Sequence, residues 1–269
     1  MEKFEGVANT LFIPLAARIA ISKQYPEYFY DHKALQLEKN LPDDANKGSF
    51  EYTNMASIAR YYNMDRVAIH FIEDHDSCNI VYLGAGLDTA YDRITEKIGL
   101  RNTNYYECDL EEVIEARRKV FGKRKQETTI AGNLFQMEWI DHMDTTLPTL
   151  IIVSGVFQYF HNEETIAFIR KCKAIFNQGE FMFDATSESG LKFTNWFIKR
   201  TGNKEALMYG YVNDSKDFAK QVNCELIEEI LFFGDTLDKL GKKLNLISRI
   251  SMKSANKKKQ TIILHLKLN

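Results

Sequence analysis

Residues 79–184 constrain the fold more than any other part of the chain, because five short apolar runs alternate there with helical stretches. The runs are residues 79–84, 104–109, 127–131, 150–154 and 180–184. Strands that alternate with helices predict βαβ units and a parallel sheet. Central strands of such a sheet are buried on both faces and read as continuous apolar sequence, as residues 150–154 do most clearly.

The sequence on either side of this region adds helices and two more strands. Helical patterns cover residues 9–21 and 52–75. Residues 187–211 are rich in large side chains and are predicted to form a helical insertion, with a further helix after it. Residues 225–233 and 260–268 read as strands, the last of them near an antiparallel edge. We therefore expect an α/β fold with a mostly parallel seven-stranded sheet, helices on both faces and a helical N-terminal segment.

Composition and charge exclude several other classes of protein. The 269 residues carry a formal net charge of −2, which gives no electrostatic reason to expect a nucleic-acid partner. No stretch approaches the roughly 18 apolar residues of a membrane span, and no secretory signal pattern is present, so we expect a cytoplasmic protein without a membrane partner. The four cysteines show no C-x-x-C spacing, so no metal is expected.

A glycine-rich turn follows the first predicted strand, in the sequence Gly-Ala-Gly-Leu-Asp-Thr of residues 84–89. Glycines at such a turn let the backbone approach a ligand that a Cβ would exclude. The turn could serve a dinucleotide or S-adenosylmethionine, or it could be a turn without a ligand. Thr89 stands where a dinucleotide site would have its third glycine, which argues against an NAD(P)-binding oxidoreductase.

Three polar residues follow the next three strands. Asp109 can accept hydrogen bonds from both ribose hydroxyls of an adenosyl cofactor, or it can cap the helix that follows it. Asn133 can bond adenine, or it can simply belong to a turn. Ser154 ends the fourth strand, where a doubly wound methyltransferase faces its methyl donor and acceptor. In open α/β sheets these positions meet at one edge, where ligands bind.

These motifs resemble the leucine carboxyl methyltransferase-like family, in particular its bacterial branch of tetracenomycin-type polyketide O-methyltransferases. The resemblance is carried by residues 10–20, by Arg60 on the helix before the first strand, by residues 83–89 with Arg93, and by residues 106–110. It implies a Rossmann-like class I methyltransferase with S-adenosylmethionine as cofactor and S-adenosylhomocysteine as product.

The resemblance also implies a role for Arg60, which would pair with the carboxylate of the cofactor; the alternative is a surface charge. Two residues depart from the family pattern: Asn133 stands where aspartate is common, and Ser154 where glutamate is common. The second departure keeps open a cofactor-binding protein that has lost catalysis. The predicted cofactor contacts are Arg60, Gly84, Gly86, Asp88, Asp109, Leu110, Asn133, Leu134 and Ser154.

The acceptor side is predicted from aromatic residues. The insertion and the N-terminal segment would form a lid, with Tyr159, Phe193, Trp196 and Tyr209 facing the acceptor; the alternative is core packing. An apolar pocket of this kind suits a lipid-like or polyketide-like molecule. A carboxylate acceptor needs no general base, because it is ionised at neutral pH. A hydroxyl acceptor would need a base, for which His161, the one histidine near the predicted cleft, is the only candidate; the favoured alternative is that His161 caps a helix.

The expected function is therefore O-methylation, dependent on S-adenosylmethionine, of a small-molecule or carboxylate acceptor. Residues 1–269 would form one methyltransferase domain in four parts. These are an N-terminal helical cap (1–78), a cofactor-binding core (79–185), the lid insertion with its following helix (186–223) and the C-terminal strands (224–269).

Overall fold

A seven-stranded sheet lies at the centre of the computed structural model, which describes residues 11–42, 50–201 and 207–268 except the side chains at positions 193 and 197–201. The strand order is β3-β2-β1-β4-β5-β7-β6, and β7 alone runs antiparallel to its two neighbours. The strands are β1 (Cys78–Leu83), β2 (Thr103–Asp109), β3 (Glu127–Ala131), β4 (Thr149–Val153), β5 (Gly179–Thr186), β6 (Glu225–Leu231) and β7 (Thr261–Lys267). The predicted sheet of seven mostly parallel strands is confirmed.

The central strand β4 is buried at every position, as its continuous apolar sequence predicts. Because side chains alternate along a strand, Leu150 and Ile152 join the core on one face of the sheet, and Ile151 and Val153 join the core on the other. Two apolar layers thus enclose the sheet.

Helices cover both faces. Helices α3, α4, α9 and α10 contribute to the first layer, and α6 and α8 to the second. Helix α1 packs across α3 above the carboxyl ends of the strands. The bounds are α1 (Phe12–Gln24), α2 (His32–Gln36), α3 (Glu51–Glu73), α4 (Ala90–Ile98), α5 (Glu111–Phe121), α6 (Asn162–Ile175), α7 (Glu188–Thr201), α8 (Ser215–Val222), α9 (Gly234–Leu240) and α10 (Leu246–Lys257).

The structure differs from the sequence pattern in three places. Helices α2, α9 and α10 are not anticipated, because they are short or carry exposed apolar residues that obscure the period, such as Ile247, which is 78% exposed. The predicted helical insertion is helical only in part: its first part forms α7, whereas residues 207–211 are not helical. Strand β6 ends at Leu231, and the two phenylalanines after it are buried in the first layer.

Within the part of the chain that the structure describes, no helix has the length and apolar character needed to cross a membrane. The same residues contain no group of three or more histidine, cysteine, aspartate or glutamate side chains arranged to hold a metal ion.

Candidate functional site

A cleft of about 290 Å³ opens at the carboxyl ends of β1, β2, β3 and β4, and we call it the strand-end cleft. Its walls come from the loops that follow these strands, from α1 and from α3. The nine residues predicted to contact a cofactor all line it: Arg60, Gly84, Gly86, Asp88, Asp109, Leu110, Asn133, Leu134 and Ser154. The sheet topology therefore brings together positions that are scattered over the sequence.

The turn after β1 requires its glycines. Gly84 and Gly86 have φ angles of +72° and +51°, in the left-handed region that favours glycine. A Cβ on Gly84 would lie 2.3 Å from Cγ2 of Val156, and a Cβ on Gly86 would lie 3.0 Å from Cδ2 of Leu11. The turn thus packs against the loop after β4 and the start of α1, and it presents bare backbone to the cleft.

Asp109 at the end of β2 ties two loops together. One carboxylate oxygen accepts a hydrogen bond from the Gly86 amide at 2.7 Å, and the other accepts from the Leu110 amide at 2.8 Å. Leu110, and not Asp109, occupies the N-cap position of α5, so the helix-cap interpretation is wrong. Burial raises the pKa of Asp109 although both backbone bonds oppose the rise. Each oxygen keeps a free lone pair for a ribose hydroxyl.

Asp88 is held by two arginines. Its Oδ1 lies 3.2 Å from Nη1 of Arg18 and 2.9 Å from Nη1 of Arg93. Burial favours a higher pKa, but the charges of Arg93 and Arg18 hold the pKa of Asp88 below its usual value. Its carboxylate is thus already paired, so its direct contribution to the turn is structural, and its role as a cofactor contact stays a prediction.

Apart from Nε of Arg18, which lies 3.1 Å from Oδ2 of Asp31, three buried polar atoms of cleft-lining residues lack a hydrogen-bond partner within the described residues: Nε of Arg60, Oγ of Ser154 and the hydroxyl of Tyr82. A buried polar group without a partner costs about 1–3 kcal/mol, so such groups are normally satisfied by a ligand or by water. All three can donate a hydrogen bond. The lining therefore suits a ligand that carries hydrogen-bond acceptors, such as a carboxylate near Arg60.

Arg60 is not a surface charge. Its side chain is 21% exposed, and Nη2 lies 3.2 Å from Oδ2 of Asp184 at the end of β5.

Asn133 is exposed, and its side-chain oxygen accepts from the Phe135 amide at 2.9 Å. This bond confirms the turn and also fixes the amide so that its nitrogen is left to donate, for example to an adenine ring nitrogen.

The aromatic residues predicted for the lid are placed differently from one another. Tyr159 lines the cleft, and burial raises the pKa of its hydroxyl. Tyr209 is 46% exposed and lies beside the ring of His161, and Trp196 is 50% exposed, so neither belongs to the core. Neither lines the strand-end cleft. The side chain of Phe193 lies outside the described residues.

His161 does not line the cleft. It occupies the N-cap position of α6, and its backbone amide donates to Glu164 at 2.9 Å. The alternative interpretation, in which His161 lies at the start of a helix, therefore describes its position correctly. Sequence reasoning missed Asp184, Tyr82 and the carboxylate partners of Arg18; Asp184 could have been found as an acid at the end of a fifth strand.

Comparisons with known proteins agree with this geometry. The pattern of the leucine carboxyl methyltransferase family matches residues 11–173. The chain is 23% identical over 203 residues to the tetracenomycin polyketide synthesis O-methyltransferase of Streptomyces glaucescens, which covers 74% of each protein.

Solved structures show the same fold at low sequence identity. A Thermobifida fusca YX protein assigned as a methyltransferase superposes with a TM-score of 0.65 at 11% identity, over 97% of this chain and 94% of that one. Magnesium protoporphyrin IX methyltransferase of Synechocystis PCC 6803, solved with bound S-adenosylhomocysteine, gives 0.50 at 12% identity, over 81% and 88%.

Proposed function

Because the chain belongs to the leucine carboxyl methyltransferase family, we propose that it transfers a methyl group to an oxygen of a carboxylate or another small-molecule acceptor. It is a class I S-adenosylmethionine-dependent methyltransferase, and S-adenosylmethionine is its cofactor. The observation that carries the proposal is the set of unpartnered donors on Arg60, Ser154 and Tyr82 in a cleft floored by two positive-φ glycines.

We assign the cofactor contacts from one end of the cleft to the other. Arg60 and Ser154 would bind the amino-acid part, since a guanidinium holds a carboxylate more strongly than a neutral donor does. Asp109 would accept from the ribose hydroxyls, and the amide nitrogen of Asn133 would donate to adenine. Leu134 lies beside Asn133 in the lining and supplies apolar surface for the adenine ring.

The cofactor, when bound, supplies a methyl group already activated by its sulfonium. The protein's task is then to orient the acceptor and to exclude water, and good orientation alone can contribute up to about 7–11 kcal/mol. Val156, Tyr159 and Phe160, with Leu11 and Pro14, contribute largely apolar side chains to the lining of the cleft. We infer an acceptor that is mainly apolar, lipid-like or polyketide-like, and carries one nucleophilic oxygen.

A carboxylate is the favoured nucleophile. The lining contains no histidine, lysine or glutamate among the residues described. Its two aspartates, Asp88 and Asp109, are engaged by arginines and by backbone amides respectively. A carboxylate is ionised at neutral pH and needs no base, whereas a hydroxyl would need one. The neutral hydroxyl of Tyr159 can donate a hydrogen bond to such an acceptor.

We propose one methyltransferase domain with the boundaries given above, and a cytoplasmic location, which the four free cysteines support. The partner would be the small-molecule acceptor, and the formal charge of −2 supports the expectation that nucleic acid is not one.

The proposed function is tested by methyl transfer from labelled S-adenosylmethionine to matched pairs of acceptors, such as 2-naphthoic acid and 2-naphthol. We expect label to enter the acid as a methyl ester that alkali hydrolyses. The His161→Ala variant should retain this activity, because His161 lies outside the cleft lining. Transfer to the phenol alone, or loss of transfer in the His161 variant, would contradict the carboxylate assignment.

A further inference from the structure

We propose that Asp184 is a positioning residue of the cofactor site, which holds the guanidinium of Arg60 and the backbone of Gly155 where the amino-acid end of the cofactor binds. The inference rests on the proposed contact between Arg60 and that end of the cofactor. Asp184 itself does not line the strand-end cleft, so it would act through Arg60 and not on the ligand.

The two oxygens of Asp184 serve two different elements. Asp184 lies near the end of β5 and is 4% exposed. Its Oδ1 accepts from the Gly155 amide at 2.6 Å, and its Oδ2 lies 3.2 Å from Nη2 of Arg60. One carboxylate therefore joins the loop after β4 to helix α3.

Gly155 completes the arrangement because Arg60 lies directly on its backbone. A Cβ at position 155 would come within 2.5 Å of Nη1 of Arg60, and Gly155 has a φ of +71°. The guanidinium is thus confined between a bare backbone segment and a buried carboxylate. Such confinement lowers the entropy that Arg60 would otherwise lose on binding a ligand.

The pairing leaves part of the guanidinium available. Asp184 faces Nη2, whereas the Arg60 side chain as a whole is 21% exposed and lines the cleft. An arginine has five N–H donors in a fixed fork, so one edge can bind Asp184 while another binds a ligand carboxylate. Asp184 would set which edge faces the cleft.

The test compares two ligands on purified protein by calorimetry: S-adenosylhomocysteine, and methylthioadenosine, which lacks the amino-acid part. Asp184→Asn keeps an oxygen for the Gly155 amide but removes the charge that holds Arg60. We expect it to weaken S-adenosylhomocysteine by about tenfold or more, as the loss of a charged hydrogen bond does, and to leave methylthioadenosine nearly unchanged. Glu180→Gln is the matched control, because Glu180 lies on the same strand and pairs with His265; it should change neither affinity.

A double-mutant cycle separates positioning from general support of the fold. In an Arg60→Met background, Asp184→Asn should have little further effect on the affinity for S-adenosylhomocysteine, because the guanidinium through which Asp184 acts has been removed. Asp184→Ser, which is smaller and leaves an uncharged hydroxyl at this position, replaces Asp184→Asn if thermal unfolding shows that variant to be unfolded. Equal losses for both ligands, additive losses in the cycle, or no loss would each overturn the proposal. Failure of the unmutated protein to bind either ligand would overturn the proposed function itself, and this inference with it.

Discussion

At the residue scale, the strand-end cleft is lined by glycine backbone that leaves no room for a Cβ and by side chains that are already bonded to neighbouring residues. Gly84 touches Val156 with no room for a Cβ, Asp109 bonds the Gly86 amide, and Asp88 is paired with arginines. Few of these groups are free to move when a ligand arrives. A site prepared in this way loses little entropy on binding.

Replacement of Gly84 by alanine should therefore cost more than backbone strain alone. The new Cβ would lie 2.3 Å from Val156, and overpacking of this kind costs about 1–3 kcal/mol beyond the strain of a positive φ. We expect a lower free energy of unfolding, measured by urea denaturation, and weaker binding of S-adenosylhomocysteine.

Gly122→Ala is the matched control. Gly122 also has a positive φ, +68° with a ψ of −161°, but a Cβ there would meet nothing within 4 Å. Only the strain of about 1–3 kcal/mol should appear, with ligand affinity unchanged. If the two variants lose equal stability, the contact with Val156 is not a constraint.

Residues at the ends of single strands could be predicted from the sequence, because each follows a local apolar run. Asp109 and Asn133 are examples. Ion pairs between distant segments could not be predicted in the same way. Asp184 meets Arg60, and Arg18 meets Asp31, only after distant segments have packed. Local hydrophobic periodicity in the sequence therefore does not predict these pairs.

At the element scale, helix α1 is anchored to the turn after β1 through a buried cluster of two arginines and three aspartates. Arg18 of α1 donates to the Leu87 carbonyl and faces Asp31 and Asp88. Arg93 of α4 joins Asp31, Asp65 and Asp88 from the other side. The cluster connects α1, α3 and α4 to one loop of the cleft.

Arg18→Met should destabilise the protein strongly. Removing one member of a buried ion-pair network leaves charge without a partner, at a cost of about 3–5 kcal/mol. Affinity for S-adenosylhomocysteine should fall as well, because Arg18 holds the turn at Leu87. The free energy of unfolding and the dissociation constant are the two measurements.

Lys23→Met provides the comparison on the same helix. Lys23 pairs with Glu38 at the surface, and its side chain is 53% exposed, so its loss should cost less than about 1 kcal/mol. Similar losses for the two variants would mean that the buried cluster does not anchor α1.

The strands and helices could be predicted where burial imposes a clear hydrophobic periodicity on the sequence. The five parallel strands and α3 follow their sequence patterns to within two residues. Helices α9 and α10 do not, because Leu246, Ile247 and Ile250 are apolar yet exposed. Their buried residues, such as Leu240 and Met252, pack on the first core layer through contacts that the sequence does not reveal.

At the scale of the whole molecule, strand order distinguishes the possible cofactors. Dinucleotide-binding folds have the order 3-2-1-4-5-6 with parallel strands. This sheet ends in β5-β7-β6, with β7 antiparallel. The missing third glycine at Thr89 and the strand order thus both argue against a dinucleotide cofactor, and the NAD(P) alternative is not favoured.

Ligand-induced stabilisation tests this conclusion on the intact protein. A ligand that binds only the folded state stabilises it by about 2.7 kcal/mol at a hundred times its dissociation constant. S-adenosylmethionine and S-adenosylhomocysteine should each raise the melting temperature, and NADH should not. A shift with NADH, or none with millimolar S-adenosylhomocysteine, would contradict the cofactor assignment.

The antiparallel strand β7 has a consequence for how the protein is made. Strand β6 precedes it in the chain but joins the sheet only through it, since β7 pairs with both β5 and β6. On the ribosome, β6 can therefore emerge and wait unpaired until residues 261–267 leave the exit tunnel. During that interval β5 also presents an open edge, which is the kind of surface that other chains can pair with. Chaperone demand and co-translational aggregation should concentrate in the interval between the emergence of β6 and that of β7.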